Sequence, residues 1–206
     1  MAAGLLYASL AFPDPPVVGR ALHVAAALRR ATLLAYGPDA PPALSGHHQG
    51  QPARGHRHPF WLPVDADHDG RIDACWVIVP DASVLSAILR VRRLDPPWAA
   101  TVTWHPAQPA AALQWASASP WVPQRFPHGS PAAAYRAQLL ADCAERGWPA
   151  PTVLDAQMTP AWDHRPGWPA HHILWRVRFP TPILGPFALG RGAHMGVGLF
   201  LPQEVG

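Results

Sequence analysis

The chain of 206 residues is long enough for one sizeable domain or two small ones, and it has no apolar run long enough to cross a membrane. Its only cysteines, Cys75 and Cys143, lie far apart and outside any CxxC pattern, which argues against a disulfide framework and against a thiolate zinc site. The formal net charge is +3, and all sixteen basic residues are arginine.

Arginine offers a planar, bidentate fork for phosphate and stacks on bases, so this composition would suit a nucleic-acid partner. A GC-rich genome that favours arginine codons would explain it equally well. Residues 1–12, MAAGLLYASLAF, have no basic leader and no clear cleavage site, so we expect no signal peptide and a cytoplasmic protein.

The first half of the chain predicts the order strand, helix, strand, strand, helix, strand. The strands are expected at 4–12, 58–64, 74–80 and 100–104, and the helices at 17–36 and 81–93. Asp14 is the predicted N-cap of the first helix, and Asp81 or Ser83 that of the second. This order is the ferredoxin-like plan, and we predict a domain over 1–105.

Two faces of the first helix differ in character. The predicted core stripe comprises Ala21, Ala25, Leu28, Thr32 and Ala35, and a second face carries Arg20, His23, Ala27 and Arg30. Such a face could meet phosphates, but it is more often simply solvated.

The second half, 106–206, partly repeats the pattern after a Pro/Ala-rich connector. We expect the connector at 106–113, an extended segment at 115–126, a helix at 131–146 and strands at 151–158, 171–179 and 197–201. In strand 171–179 the alternation predicts Ile173, Trp175, Val177 and Phe179 inward and His172, Leu174, Arg176 and Arg178 outward. The predicted fold class is therefore α+β, with two tandem ferredoxin-like (RRM-like) units. The second is degenerate, because a C-terminal glycine-rich loop takes the place of its last helix.

Histidines are concentrated between the first helix and the second strand. His47, His48, His56 and His58 share one loop rich in glycine and proline, which must turn sharply several times. Because imidazole is the side chain best suited to proton transfer near neutral pH, this loop is the leading candidate for a functional site.

An aspartate-rich turn, DADHDGRID at 65–73, matches the first nine positions of a calcium loop. The twelfth position is Trp76 where a bidentate glutamate is required, and no helices flank the turn. A hairpin whose aspartates cap its own amides is the simpler interpretation.

Longer motifs resemble a known family. The segment GRGAHMGVG, with Gly190, Gly192, Gly196 and Gly198, resembles the G-x-G-x-x-x-G-x-G loop of the RAMP superfamily of CRISPR-associated proteins. Together with LSGHHQGQPARGHRHPFWLPVDADHDGRID and SPWVPQRF, it resembles the repeat-RNA processing half of the type I-G (I-U) fusion of Cas-five and Cas-six proteins. That family usually carries a preceding Cas-five portion, so this chain would be a split, stand-alone subunit or a truncated copy.

The resemblance implies an endoribonuclease that cuts CRISPR repeat RNA (pre-crRNA) without a metal. The 2′-hydroxyl beside the scissile phosphate attacks, leaving a 2′,3′-cyclic phosphate and a 5′-hydroxyl. The implied partners are the repeat RNA, the mature crRNA retained as product, and other Cas subunits of a type I effector complex, with a Cas-five subunit supplied separately. No cofactor, metal or membrane is expected.

Within that reaction His47, after a Ser-Gly turn, is the first candidate for the general base, and either His56 or His58 could be the acid. His23 on the first helix is a rival base, and the histidines at 56 and 58 could instead hold the turn through bonds to the backbone. The implied RNA-binding residues are Arg20, Arg30, Arg57, Arg125, Arg176, Arg178, Gly190, Arg191, Gly192, His194, Gly196 and Gly198.

Two other functions fit the same residues. One is a non-catalytic guide-RNA-binding subunit of a type I CRISPR complex with the same fold. The other is a histidine metalloenzyme built on His47, His56 and His58.

Overall fold

The computed structural model describes residues 4–48, 51–52, 58–125, 131–160, 162, 168–169 and 171–203, with the backbone alone at 47, 48, 51, 52 and 131. The chain divides into two compact units, Met1–Gln108 (unit 1) and Pro109–Gly206 (unit 2). Within the described ranges, no helix combines the length and the apolar character that crossing a bilayer requires.

Unit 1 is built on a four-stranded antiparallel sheet. Its elements are β1 (Gly4–Ala11), α1 (Ala21–Tyr36), α2 (Pro42–Ser45), β2 (His47–His48), β3 (Gln51–Pro52), β4 (Phe60–Val64), β5 (Ala74–Val79), α3 (Leu85–Arg90) and β6 (Thr101–Pro106). The strand order β4-β5-β1-β6 is that of a ferredoxin-like sheet, while β2 and β3 form a separate small hairpin. The predicted order of the first half is confirmed.

The core of unit 1 follows the predicted periodicities. On α1 the buried residues are Ala21, Leu22, Val24, Ala25, Leu28 and Thr32, whereas Ala35 is only half-buried. On β1, Leu6, Ala8 and Leu10 are buried at every second position, as a strand with one packed face requires. Arg20, His23 and Arg30 lie exposed, so the second face of the helix is solvated.

The start of the first helix differs from the prediction. Asp14 is not its cap: its carboxylate accepts a bond from Arg71, with 3.2 Å between the charged groups. The amide of Ile72 donates to the carbonyl of Pro16, so the chain before the helix is held as a partner of residues 70–72. A short 3-10 turn, Val18–Arg20, therefore precedes α1.

The second helix is shorter than 81–93. Asp81 caps a 3-10 turn by accepting from the amide of Ser83 at 2.8 Å, as predicted, and α3 ends at Arg90. Beyond it the backbone pairs with the start of β6, since Leu94 donates to the Ala100 carbonyl. That pairing removes residues 92 and 93 from the predicted helix.

Unit 2 contains a five-stranded antiparallel sheet. Its elements are β7 (Ala110–Ser117), α4 (Pro131–Glu145), β8 (Thr152–Pro160), β9 (His171–Gly185), β10 (Phe187–Ala188) and β11 (Leu199–Pro202). The order β10-β11-β7-β9-β8 is again ferredoxin-like with one short edge strand added. A glycine-rich segment with a 3-10 turn at Ala193–Met195 stands where a second helix would lie, as predicted.

The boundaries of β7 and β9 were predicted wrongly. Residues 110–113, expected in a connector, belong to β7, because Ala110–Ala112 pair with Ile183–Gly185 of a β9 that extends past 179. Residues 118–125, expected to be extended throughout, contain no strand beyond one bridge from Trp121 to Ile173. Alanines carry little apolar periodicity, so only the long partner strand reveals that they pair.

His172 was predicted to face outward and is instead fully buried. The indole of Trp168 lies over its imidazole, with ring centroids 5.9 Å apart. The alternation along β9 otherwise holds: Arg176 and Arg178 are exposed, and the four apolar residues predicted inward are buried in the core of unit 2. Trp168, four residues before His172 in the chain, therefore covers one outward position of the strand.

Candidate functional site

The turn that leads into the histidine loop is built from α2 and Gly46. Two prolines begin the four-residue helix, and Leu44 anchors it with 1 % of its surface exposed. Gly46 adopts a left-handed conformation (φ 72°) and donates to the Pro42 carbonyl. The chain then enters the small hairpin in which His47 pairs with Pro52. The predicted Ser-Gly turn before His47 is confirmed.

Arg29 of α1 holds this turn. Its guanidinium donates to the carbonyl oxygen of Ser45, two residues before His47. The approach is close, since a Cβ atom added at Gly46 would lie 3.4 Å from Nη2 of Arg29. A hydrogen bond from a charged donor is stronger than one between neutral groups, so Arg29 fixes the position from which the histidine hairpin starts.

His58 lies directly before β4 and is half-buried. Its ring stacks on Phe60 with centroids 5.8 Å apart, and its Nδ1 lies 3.4 Å from the Pro59 carbonyl. Burial lowers the pKa of His58, the Pro59 carbonyl opposes this shift, and the positive charge of Arg29 adds to it. The lowered pKa therefore favours the neutral imidazole at pH 7. A neutral imidazole accepts protons, so His58 suits the role of base better than the predicted role of acid.

The remaining histidine-loop candidates are less completely described. His56 and Arg57 lie outside the described residues, and of His47 and His48 the backbone alone is described. The structure thus brings three groups of the loop region together in unit 1: the backbone before His47, the imidazole of His58 and the guanidinium of Arg29.

The glycine-rich loop of unit 2 is packed tightly. A Cβ atom added at Gly198 would lie 1.9 Å from the Leu189 carbonyl oxygen, and one at Gly190 would lie 2.6 Å from that of Val122. All four motif glycines have positive φ. Two of the predicted phosphate-binding amides are engaged internally, because Gly198 donates to Pro120 and Gly190 donates to the carboxylate of Asp142. Gly190 and Gly198 are therefore required by packing, because a side chain at either position would overlap a backbone carbonyl.

Asp142 on α4 fastens the start of that loop. The residue is 8 % exposed, and its carboxylate accepts from Nε1 of Trp121 at 2.9 Å as well as from the amide of Gly190. Burial raises the pKa of Asp142, and the two donated bonds and the charge of Arg146 oppose the rise. Arg146 in turn donates to the Ala188 carbonyl at 3.2 Å.

The predicted RNA-binding arginines occupy surface positions in both units. Arg20 and Arg30 project from α1 in unit 1. In unit 2, Arg125 is exposed, and the side chain of Gln138 hydrogen-bonds to both its backbone amide and its backbone carbonyl. On the outer face of β9, Arg176 lies 3.9 Å from the carboxylate of Asp155 on β8. Arg191 is half-buried within the glycine-rich loop.

In the aspartate-rich turn the carboxylate oxygens of Asp65, Asp67 and Asp69 come within 4.8 Å of one another. Asp65 accepts from the amides of Asp69 and Gly70, at 3.1 and 2.8 Å, and Asp69 accepts from Arg71 at 2.8 Å. The aspartates thus cap the amides of their own turn, in agreement with the hairpin interpretation.

Comparison with known proteins was informative only at the level of structure. No protein-family model and no curated protein matches the sequence. Solved structures of Cas6, the Cas-six class, superpose over nearly the whole chain. A CRISPR associated protein Cas6 gives a TM-score of 0.62 at 9 % identity, covering 98 % of this chain and 99 % of the other. A CRISPR RNA processing endoribonuclease, Cas6b, gives 0.53 at 9 % identity, covering 96 % and 98 %. A Cas6 product complex gives 0.52 at 10 % identity, covering 98 % and 100 %.

The chain has the Cas6 fold. The two ferredoxin-like units that the sequence predicted are those of the Cas6 structures.

Arg29 is the site residue that sequence analysis missed. The helical pattern had a signal for it, because residue 29 lies four positions after buried Ala25 and three before buried Thr32. That spacing places it at the edge of the packed stripe, unlike exposed Arg30 beside it. In this chain that edge of α1 supports the turn before the histidine hairpin.

Proposed function

We propose that this protein is a cytoplasmic endoribonuclease that cuts CRISPR repeat RNA and retains the mature crRNA within a type I effector complex. The observation that carries the proposal is the full-length similarity to Cas6 structures, among them an RNA-processing endoribonuclease and a product complex. The motifs of the histidine and glycine-rich loops support the type I-G subtype, and a separate Cas-five subunit is the expected partner.

The proposed chemistry is metal-independent transesterification. The 2′-oxygen attacks the adjacent phosphorus, a base takes the 2′-hydroxyl proton, and the P–O5′ bond breaks as an acid protonates the leaving oxygen. The products are a 2′,3′-cyclic phosphate and a 5′-hydroxyl. His47 is the first candidate for the base, because Arg29 holds the turn that precedes it. His58 competes for that role, because its lowered pKa favours the neutral form, and His56 is then the candidate acid.

RNA binding is assigned to the exposed arginines and to the glycine-rich loop. Arg20 and Arg30 in unit 1, and Arg125, Arg176 and Arg178 in unit 2, offer solvent-facing guanidinium groups for phosphates. Within the loop, the amides of Gly190 and Gly198 are already bonded. The amide of Arg191 is bonded as well, to the Val122 carbonyl, so we assign contact with RNA in this loop to the side chains of Arg191 and His194.

The test is incubation with the repeat RNA of the protein's own locus in excess EDTA, followed by analysis of the product ends. We expect cleavage to persist in chelator and to leave a cyclic phosphate, whereas a 3′-hydroxyl end would overturn the mechanism. Loss of cleavage in chelator would favour a metalloenzyme instead.

Matched variants assign the base and separate cleavage from binding. His47→Ala and His58→Ala are compared with His171→Ala, an exposed histidine at the start of β9. We expect the variant that lacks the base to bind repeat RNA normally and to lose cleavage, while His171→Ala cuts like the wild type. If the wild-type protein binds repeat RNA and never cuts it, the chain is a guide-RNA-binding subunit.

A further inference from the structure

Three ring side chains lie in a row on the sheet of unit 1. Tyr7 on β1 stands directly opposite Trp76 on β5 and directly opposite His105 on β6. The centroids of Tyr7 and Trp76 are 4.9 Å apart, and those of Tyr7 and His105 are 6.1 Å apart. We call Trp76, Tyr7 and His105 the aromatic rung.

The aromatic rung is on the face of the sheet opposite the buried core. Side chains alternate along a strand, and Leu6 and Ala8, the neighbours of Tyr7, are the buried ones. Tyr7 and Trp76 are half-buried, and His105 is exposed. These three rings are therefore partly accessible to solvent rather than enclosed in the core under the helices.

The next rung along the strands carries hydroxyl groups. Ser9 stands opposite Thr103, and both residues are exposed. Ser9 Oγ lies 3.2 Å from Nε2 of His105, a hydrogen bond that orients the imidazole. Rungs are about 7 Å apart along a strand, so a ring resting on Tyr7 would have its edge within reach of these hydroxyls.

A nucleobase has the matching chemistry: an apolar face for stacking and a polar edge for hydrogen bonds. Single-stranded RNA is commonly recognised in this way, by aromatic side chains on the central strands of a four-stranded sheet. Neither rung contains a charged side chain among the residues paired in register, which disfavours phosphate as the ligand there.

We propose that the aromatic rung, with Ser9 and Thr103 beside it, is a binding site for unpaired bases of RNA, separate from the histidine loop. The choice of RNA as ligand rests on the proposed function. The site would take nucleotides outside the cleaved phosphodiester and add affinity without taking part in cleavage.

The experiment measures binding of an unpaired 12-nucleotide adenosine RNA with one 2-aminopurine, whose fluorescence is quenched when it stacks. The full chain is compared with Tyr7→Leu, Trp76→Leu and Tyr7→Phe. Tyr36→Leu is the matched control, because Tyr36 is 36 % exposed and is the last residue of α1 rather than part of the sheet. Thermal melting is recorded for each variant.

We expect each leucine variant to bind about tenfold more weakly and to lose quenching, as removal of a stacked ring does. Tyr7→Phe keeps the ring and should bind like the wild type, as should Tyr36→Leu. Because the rung is uncharged, the slope of affinity against salt concentration should not change in the leucine variants, unlike in an arginine variant.

The proposal is overturned if folded Tyr7→Leu binds and quenches like the wild type, or if Tyr7→Phe is as weak as Tyr7→Leu. Should the leucine variants fail to fold, the exposed substitutions His105→Ala and Thr103→Val carry the test, and wild-type binding by both overturns it. A dimer in sedimentation that Tyr7→Leu dissociates would assign the face to a second copy instead.

Cleavage of repeat RNA is measured in parallel so that the two proposals fail separately. If the repeat is cut but oligonucleotide binding is insensitive to the aromatic rung, this site is wrong and the nuclease stands. If the oligonucleotide binds through the rung but the repeat is never cut, the nuclease is wrong and the binding site stands.

Discussion

Replacing Arg29 by glutamine tests whether the turn before His47 must be held in place. The substitution removes a charged donor from the Ser45 carbonyl, and a hydrogen bond to a charged group contributes about 1.5–3 kcal/mol. Arg29 is only half-buried, so the lower end applies. About 1.4 kcal/mol corresponds to a factor of ten, and we therefore expect the cleavage rate of bound RNA to fall about tenfold.

The same substitution should also shift the pH dependence of the cleavage rate, which a purely structural role of Arg29 would leave unchanged. The charge of Arg29 contributes to the lowered pKa of His58, so its removal must raise that pKa. If His58 is the base, the acidic limb of the rate profile moves to higher pH in Arg29→Gln, and Arg29→Lys, which keeps the charge, leaves the limb in place.

The assay is single-turnover cleavage of repeat RNA from pH 5 to 8, with affinity measured separately. Arg90→Gln is the matched control, an exposed arginine on α3 of the same unit. The reasoning about the turn is refuted if folded Arg29→Gln cuts at the wild-type rate at every pH, or if Arg90→Gln loses as much activity.

Three further predictions concern other parts of the chain. Gly198→Ala should destabilise the fold by about 3 kcal/mol, since alanine is strained at φ 67° and its Cβ would overlap the Leu189 carbonyl. Gly147→Ala, with φ 71° and open space around it, should cost only about 1 kcal/mol; equal losses in thermal melting would contradict the clash. Asp142→Ala should lose about 1–3 kcal/mol, because it leaves the buried Nε1 of Trp121 and the amide of half-buried Gly190 without this acceptor. Asp142→Asn keeps an acceptor without the buried charge, so its melting temperature at pH 7 should equal or exceed that of the wild type. The raised pKa means that the folded state favours the neutral carboxyl, so the contribution of Asp142 to wild-type stability grows as the pH falls toward 4. Asp142→Asn has no such group, and if its stability depended on pH in parallel with that of the wild type, this reasoning would be refuted. For His58, the lowered pKa predicts an acidic limb of cleavage below pH 6.5 if it is the base, and a limb above 6.5 would exclude it.

The order of elements was readable from the sequence wherever side-chain periodicity was strong. Alternation in β1 and β9 and the apolar stripe of α1 predicted two ferredoxin-like units, and the structure confirms them. The prediction failed at β7, where alanines pair with the far end of β9. Whether these residues pair depends on the backbone of β9, and a run of small side chains in β7 does not indicate it.

The candidate site was only partly predictable for a related reason. Composition and motifs selected the histidine loop, but Arg29 was not selected, although its helical spacing is that of the edge of the core. The bond from Arg29 to Ser45 and the electrostatic effect of Arg29 on the pKa of His58 join positions far apart in the chain. No local pattern records such contacts.

The amino-acid sequence by itself determined which strands alternate, where a glycine-rich loop replaces a helix and which loop concentrates imidazoles, because these depend on the chemistry of neighbouring residues. Only the tertiary structure decided that His172 is covered by Trp168 and that Tyr7, Trp76 and His105 share one rung. Strand register is set when segments far apart in the chain pair, and burial depends on which side chains then cover a face. Two chains with the same periodicity can therefore differ in both.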